Sequence, residues 1–471
     1  MNYVLRAMKT KWSQRAAAVV AVLSVACTPE GPKAPVRDQA AEQFFRRASV
    51  DFDQARIDEA QDAIGRALAI APNDAELQKL GGRIALARLE FDESLRLLHN
   101  VPGSEAHGLR GRAHWFRGEL GSAAQELEAM LNDPSVVDDW ARAVAPLARA
   151  GEGRTPYALG GDPRAVLDMA HVSLSAPYLV VPVEVDGEDA LALIATNVED
   201  VQIDAATHPQ ASWISLRFKS APSPGMTTSA VEMVDVPALP KDLAGVSREV
   251  NTNIKALIGV NVLRQLNVTI DFNARQFVVR RQPAPPPPES TRVRVLYSRG
   301  GSMLLSAGLG AAEGASGTFF VDSTSRFPLA VDDVGLEKTG IPAKDLGVFQ
   351  GESTSKLKQG TLEVFKLGAF DLKKVPAIYG TPVSDVEKAV GFDVDGVIGV
   401  PLLAFYRFTF ADNGRVLYLE DDSEVRRMAE EYERMPLVGP ENTTDPGAGP
   451  VPPVVPPMVP PVVAPGPGGV P

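Results

Sequence analysis

The chain repeats part of itself. Ile258-Gly259-Val260-Asn261-Val262-Leu263 recurs as Ile398-Gly399-Val400-Pro401-Leu402-Leu403, and the offset, 398 − 258 = 140, stays constant to Val279 and Leu419. Ile-Gly-Val, Leu263/Leu403, Thr269/Thr409, Asn273/Asn413 and Arg275/Arg415 are identical at that spacing. Each copy reads as a strand end, a short helix, a strand, a turn and a strand. A duplicated β unit demands two similar lobes, expected over 175–282 and 290–421. The Ala-Pro-Pro-Pro-Pro-Glu stretch at 284–289 is a stiff, extended connector between them.

The repeated pattern is a hydrophobic pair and Gly, a short helix ending in Leu, then Val-Thr-Ile-Asp-Phe-Asn-x-Arg. It resembles the C-terminal half of a retropepsin-like aspartic protease lobe. The resemblance covers roughly 175–421. In that family the motif follows an Asp-Thr/Ser-Gly loop by some tens of residues. Upstream, Gly-Thr-Phe-Phe-Val-Asp-Ser-Thr-Ser places Asp322 at the catalytic aspartate position of the second lobe. Ala-Leu-Ala-Leu-Ile-Ala-Thr-Asn-Val places Ala195 there in the first.

The resemblance implies chemistry that this pair cannot complete. Such enzymes hold two carboxylates together, one from each lobe, sharing a proton. The ionised one deprotonates water and the neutral one protonates the carbonyl oxygen. Ala195 supplies neither role. The hydroxyl that bonds across the lobe interface in the family falls at Thr196 and Ser323. The family's turn glycine is replaced by Asn197 and Thr324. A β-branched residue tolerates left-handed backbone poorly, so the Thr324 loop is expected to differ in geometry. Asp271 and Asp412 read as turn residues, and Asp393 and Asp395 as structural.

Residues 38–150 have helical periodicity. Ala-Leu-Ala-Ile-Ala-Pro, Leu-Leu-His-Asn-Val-Pro and Met-Leu-Asn-Asp-Pro end at Pro72, Pro102 and Pro134. Paired helices at that spacing resemble tetratricopeptide repeats, which stack into a solenoid whose concave face binds partners. Ala48, Ala60 and Ala67 fall at the small-residue positions where helices touch. Gly118 and Ala123 keep the family rhythm in the third segment, and the middle repeat is short. His107 and His114 share one helical side without an acidic residue at metal-ligand spacing, and read as ordinary helix residues.

Residues 1–15 carry Arg6, Lys9, Lys11 and Arg15 and no acid, followed by an apolar run at 16–26 and then Cys27, the single cysteine of the 471 residues. The run is too short for a bilayer span and fits a secretory signal over 1–26. It resembles a bacterial lipoprotein signal, with lipid expected on Cys27 and a linker at 27–37. Ser24 stands where a large aliphatic residue is usual, and the other reading is cleavage after Ala26 with Cys27 incidental. Thr28, not Asp, follows the cysteine, so an outer-membrane protein facing the periplasm or the cell surface is expected.

A formal net charge of −12 disfavours nucleic-acid binding. One cysteine excludes an intramolecular disulfide or a cysteine-based zinc site. No phosphate-binding loop, nucleophile elbow or zinc-protease motif is present, so no cofactor or metal is expected. Residues 421–435 read as a solvated helix, and 438–471 as a Pro-rich extended tail.

The expected fold is thus multidomain: an N-terminal α-helical, tetratricopeptide-like solenoid before a mainly-β, bilobal, retropepsin/pepsin-like domain. The expected function is protein or extended-peptide binding on a degenerate aspartic protease fold. One alternative is an active endopeptidase, with Asp322 paired to an unplaced acid or to a second chain's Asp322. Another is an envelope scaffold acting through its helices.

Overall fold

The structure is a computed structural model. It describes residues 37–421 apart from 171, 173–175, 221–227, 311–314, 343–346, 349–356 and 382. The signal segment, Cys27, nearly all of the linker, the helix expected at 421–435 and the Pro-rich tail lie outside the described residues.

Seven helices come first: α1 (Gln39–Asp53), α2 (Ile57–Ile70), α3 (Ala75–Ala87), α4 (Phe91–Leu98), α5 (Ser104–Phe116), α6 (Leu120–Leu131) and α7 (Asp139–Ala150). Asp38, Asp74 and Asp138 cap α1, α3 and α7, each accepting backbone N–H bonds that the first turn leaves free. The three pairs α1/α2, α3/α4 and α5/α6 share one turn. Its central residue is left-handed in every case, at Ala55, Leu89 and Gly118. The next residue closes the turn, with Arg56, Glu90 and Glu119 donating to Asp51, Ala85 and His114 carbonyls at 2.8–2.9 Å. Only the third turn uses glycine, so the repeat is clearer in backbone than in sequence. Ala48, Ala60, Ala67 and Ala123 are fully buried, as close helix approach requires. α4 is the shortest of the seven helices, where the repeat was expected to be short.

Strands begin earlier than the expected 175. Ala158–Gly161 pairs with Ala230–Lys241, and Arg164–Asp168 pairs with Gln276–Arg280. Both are short, and Gly and Pro surround them, so their alternation is weak in sequence.

Each lobe is a closed six-stranded barrel. Around the first run Val180–Val185, Glu188–Ile194, Ile254–Ile258, Val201–Asp204, Ala230–Lys241 and Ser212–Lys219, the last returning to the first. Around the second run Ser302–Leu309, Ser316–Asp322, Gly396–Gly399, Leu329–Val331, Phe370–Tyr379 and Lys358–Leu367, closing likewise. In both, the second strand runs parallel to the third, and the fourth is antiparallel to the third and parallel to the fifth. The sequence duplication is therefore a duplication of topology.

A third, antiparallel sheet joins the lobes. Arg164–Asp168, Gln276–Arg280 and Thr269–Asp271 come from the first; Tyr406–Ala411, Val416–Asp421 and Thr291–Arg294 come from the second. Thr269 and Thr409 pair at the junction, their hydroxyl oxygens 2.8 Å apart. These residues are copies of one another at the repeat offset, so the junction marks a pseudo-two-fold axis.

The repeated glycine has a steric cause. A Cβ at Gly259 would stand 2.5 Å from the Glu199 carbonyl oxygen and 2.6 Å from that of Asp200. At Gly399 it would collide with the Phe327 carbonyl. In each lobe the glycine lets its strand end pass directly under the loop that follows the Ala195 or Asp322 strand.

The helices are not free-standing. Residues of α1–α3 and the second lobe share one hydrophobic cluster, with Phe52 and Phe392 ring centroids 4.7 Å apart. α5–α7 share another with the first lobe through Trp115 and Trp213, 6.0 Å apart. α1, α3, α5 and α7 all meet the chain's own β-domain. The helical layer spans both lobes.

Candidate functional site at the lobe interface

The strands Glu188–Ile194 and Ser316–Asp322 deliver their ends to the interface. Phe319 and Val321 point into the second barrel, while Phe320 packs against the helical cluster. That alternation fixes where the next residues face.

Thr196 and Ser323 are buried and bonded reciprocally. Thr196 N–H donates to Ser323 Oγ at 3.0 Å, and Ser323 N–H donates to Thr196 Oγ1 at 3.0 Å. Thr196 Oγ1 donates to the Val321 carbonyl at 2.8 Å, and Ser323 Oγ donates to the Ile194 carbonyl at 2.7 Å. Every hydroxyl is both donor and acceptor, and each reaches the opposite lobe. The four bonds obey the same two-fold as Thr269 and Thr409.

One residue earlier in each strand the symmetry breaks. Asp322 sits beside Gly399 in the parallel pair, and Ala195 occupies the matching place, its N–H bonded to the Ile258 carbonyl at 3.0 Å. Ala195 is fully buried and Asp322 is half-buried. Across the axis from the carboxyl is therefore a methyl group.

Asp322 Oδ1 accepts two bonds from Thr324, the N–H at 2.8 Å and the hydroxyl at 2.5 Å. Burial pushes its carboxyl above the ordinary aspartate range; the Thr324 bonds oppose this, and the charge of Glu249 adds to it. Neither Asn197 nor Thr324 is left-handed. The loop closes without a glycine and keeps Thr324 out of the left-handed region that its β-branch disfavours, and the Thr324 hydroxyl ties down the carboxylate. Asn197 Nδ2 donates to Thr324 Oγ1 at 3.3 Å, while Asn197 Oδ1 is buried with no partner.

Two residues here were not singled out from sequence. The Tyr178 hydroxyl donates to Glu249 Oε1 at 3.1 Å. Burial and then the Glu249 charge raise the Tyr178 pKa, and Asp322 contributes in the same direction. Glu249 is thus the carboxylate whose charge reaches Asp322. No spacing signal in the sequence links Tyr178, Glu249 and Asp322.

Asp200 is the other unannounced acid. Buried just past Thr196, it accepts bonds from Trp115 Nε1 at 3.3 Å, Trp140 Nε1 at 3.1 Å, the Tyr157 hydroxyl at 3.2 Å and Asn261 Nδ2 at 2.7 Å. Its role is to fasten α5 and α7 to the first lobe. The remaining acids hold structure. Asp271 Oδ1 accepts the Ala274 N–H at 2.8 Å, and Asp412 pairs with Arg415 at 2.6 Å. Asp395 takes the Thr318 N–H at 2.8 Å and Lys338 at 2.6 Å, while the Asp393 N–H donates to the Asp53 carbonyl at 2.8 Å. His107 and His114 each pair with one glutamate, Glu126 and Glu119. Among the described residues no group of three His, Cys, Asp or Glu is placed to hold a metal.

Neither protein-family models nor curated protein sequences give a match. Solved structures do. A retropepsin-like aspartic protease from Rickettsia conorii aligns at 18% identity over 28% of this chain and 91% of its own, with a TM-score of 0.21. The aspartic proteinase from Irpex lacteus aligns at 12% identity over 55% of this chain and 98% of its own, with a TM-score of 0.34. No residue role is carried over from either protein.

Proposed function

We propose that the chain is a non-cleaving binder of extended polypeptide, built on a bilobal aspartic protease-like fold. The observation that carries this reading is Ala195. A methyl group at that place leaves Asp322 without a carboxylate on the other lobe to share its proton, and losing one member of such a unit costs orders of magnitude in rate. The hydroxyl network that holds the lobes together is complete beside it. Burial raises the Asp322 pKa and so favours the neutral carboxyl, the form that can donate a hydrogen bond to a peptide carbonyl. That is a binding role needing no second acid.

Glu249 favours one other reading, an endopeptidase in which it serves as the second acid. Its bond to Tyr178 and its place on the short helix Ala244–Glu249, rather than beside Thr196, weigh against it. Location belongs to the same proposal: the basic start, the short apolar run and Cys27 support export and lipid attachment at the outer membrane. Fluorescence anisotropy with labelled unfolded polypeptides tests the binding role. Saturable binding, with the probe intact after long incubation, supports it; no binding to any such probe would overturn it. Processing blocked by globomycin tests the lipid at Cys27.

A further inference from the structure

A cavity of about 330 Å³ lies between the helices and the second lobe, and its lining includes none of Asp322, Thr196 and Ser323. Arg83 of α3, Arg112 of α5 and Arg299 of the second lobe all line it. Arg112 is buried and paired, with Asp138 at 3.0 Å and Glu199 at 3.4 Å. Arg83 lies over the Phe52 ring, 4.6 Å from its centroid. Among the described residues neither Arg83 nor Arg299 has a carboxylate within ion-pair distance. Arg299 Nε stands 3.9 Å from where a Cβ on Gly391 would lie, so the side chain rests against that turn.

Burial lowers the Arg299 pKa first, and the like charges of Arg112 and Arg83 lower it further, against Asp138 and Glu199. Glu105 also lines the space but is held by Lys79 at 3.4 Å, and Asp53 feels Arg83 only at longer range. Arg112 is thus matched by Asp138 and Glu199, whereas Arg83 and Arg299 line the space with no carboxylate at ion-pair distance among the described residues. Much of the remaining wall is apolar: Phe52, Leu86, Leu109, Met130 and Phe392.

A guanidinium fork matches a carboxylate in shape and charge. The apolar wall disfavours a strongly hydrated inorganic ion, which would lose its water without replacement. The volume, at roughly 30 Å³ per water, has room for about ten such units, at the small end of ligand pockets. We propose that this cavity binds a small organic carboxylate with an apolar body, its carboxylate between Arg83 and Arg299 and its body against Phe52 and Phe392. Such a ligand bridges the helical layer and the second lobe. The site stands independently of any activity in the cleft.

Calorimetric titration of the full chain with phenylacetate and with hexanoate tests this, with phenylacetamide and inorganic phosphate as comparators. The acids are expected to bind, with the amide and phosphate at least tenfold weaker. Arg299→Gln removes a charge-assisted bond and is expected to weaken the acids by about tenfold or more. Arg96→Gln, on α4 and paired with Glu93, is expected to change nothing. Acid and amide binding alike, neither acid binding at millimolar concentration, or an Arg299→Gln affinity within twofold of the original would each overturn the proposal. If Arg299→Gln folds poorly, Arg83→Gln replaces it, and the acid–amide comparison decides on the unaltered chain.

Discussion

Replacing Ser323 by Ala isolates the bond network at the centre of the molecule. The change removes one oxygen and nothing else. That oxygen donates to the Ile194 carbonyl at 2.7 Å and accepts the Thr196 N–H at 3.0 Å. Both partners belong to buried residues of the opposite lobe. An unpaired buried polar group costs about 1–3 kcal/mol, so two of them cost about 4 kcal/mol. The loss falls between the lobes, and the barrels themselves keep their strands. Guanidinium unfolding, followed by tryptophan fluorescence and by far-ultraviolet circular dichroism, reads the difference. Ser323→Thr keeps the hydroxyl and is expected to recover most of the stability. A loss under 1 kcal/mol for Ser323→Ala would refute the reasoning, because the four bonds would then not hold the lobes together.

Other perturbations give equally definite expectations. Asp200→Ala strips the acceptor from Trp115, Trp140, Tyr157 and Asn261; it is expected to cost about 3–5 kcal/mol and to speed proteolytic nicking between α7 and the first lobe. Glu199 is pushed up to about 7 by burial, with Asp200 and Asp138 adding to it against Arg112. Between its ordinary value of 4.5 and about 7, the folded chain holds a proton that the unfolded chain has released. Its contribution therefore falls as pH rises through that window, by about 3 kcal/mol in all, and Glu199→Gln is expected to remove that slope in unfolding measured at pH 5 and pH 7. Ala195→Asp sets a second carboxylate beside Asp322, where both cannot ionise cheaply; the variant is expected to be less stable than the original at pH 7 and closer to it at pH 4, as thermal unfolding at the two values would show.

The duplication was legible because it rests on sterics that sequence cannot hide. Only glycine fits under the Glu199 and Phe327 carbonyls, and Thr269 and Thr409 must meet on one axis. Ala195 and Asp322 follow from the matching strand upstream of each anchor, since the gaps to the glycine differ, 259 − 195 = 64 against 399 − 322 = 77. The strands at 158–168 were not legible, since their pairing partners lie some 70 to over 110 residues further along the chain and their own patterns are short. The cover over the odd-numbered helices was invisible for a similar reason. Nothing in the spacing of Trp115 and Trp140 says that both indoles reach Asp200. A β-branched Thr324 in place of the family's glycine calls for altered loop geometry, but its two bonds to Asp322 carry no signature in the sequence. Glu249 has no local signature at all; only the packing of the helix Ala244–Glu249 brings its charge to bear on Asp322.

The proposed function requires that the lobe interface lack a working pair of acids. Purified chain, incubated with unfolded polypeptides from pH 3 to pH 7 beside its Asp322→Asn variant, tests it most directly. The expected result is no cleavage above that of the variant at any pH. Cleavage by the original chain that Asp322→Asn abolishes would contradict it.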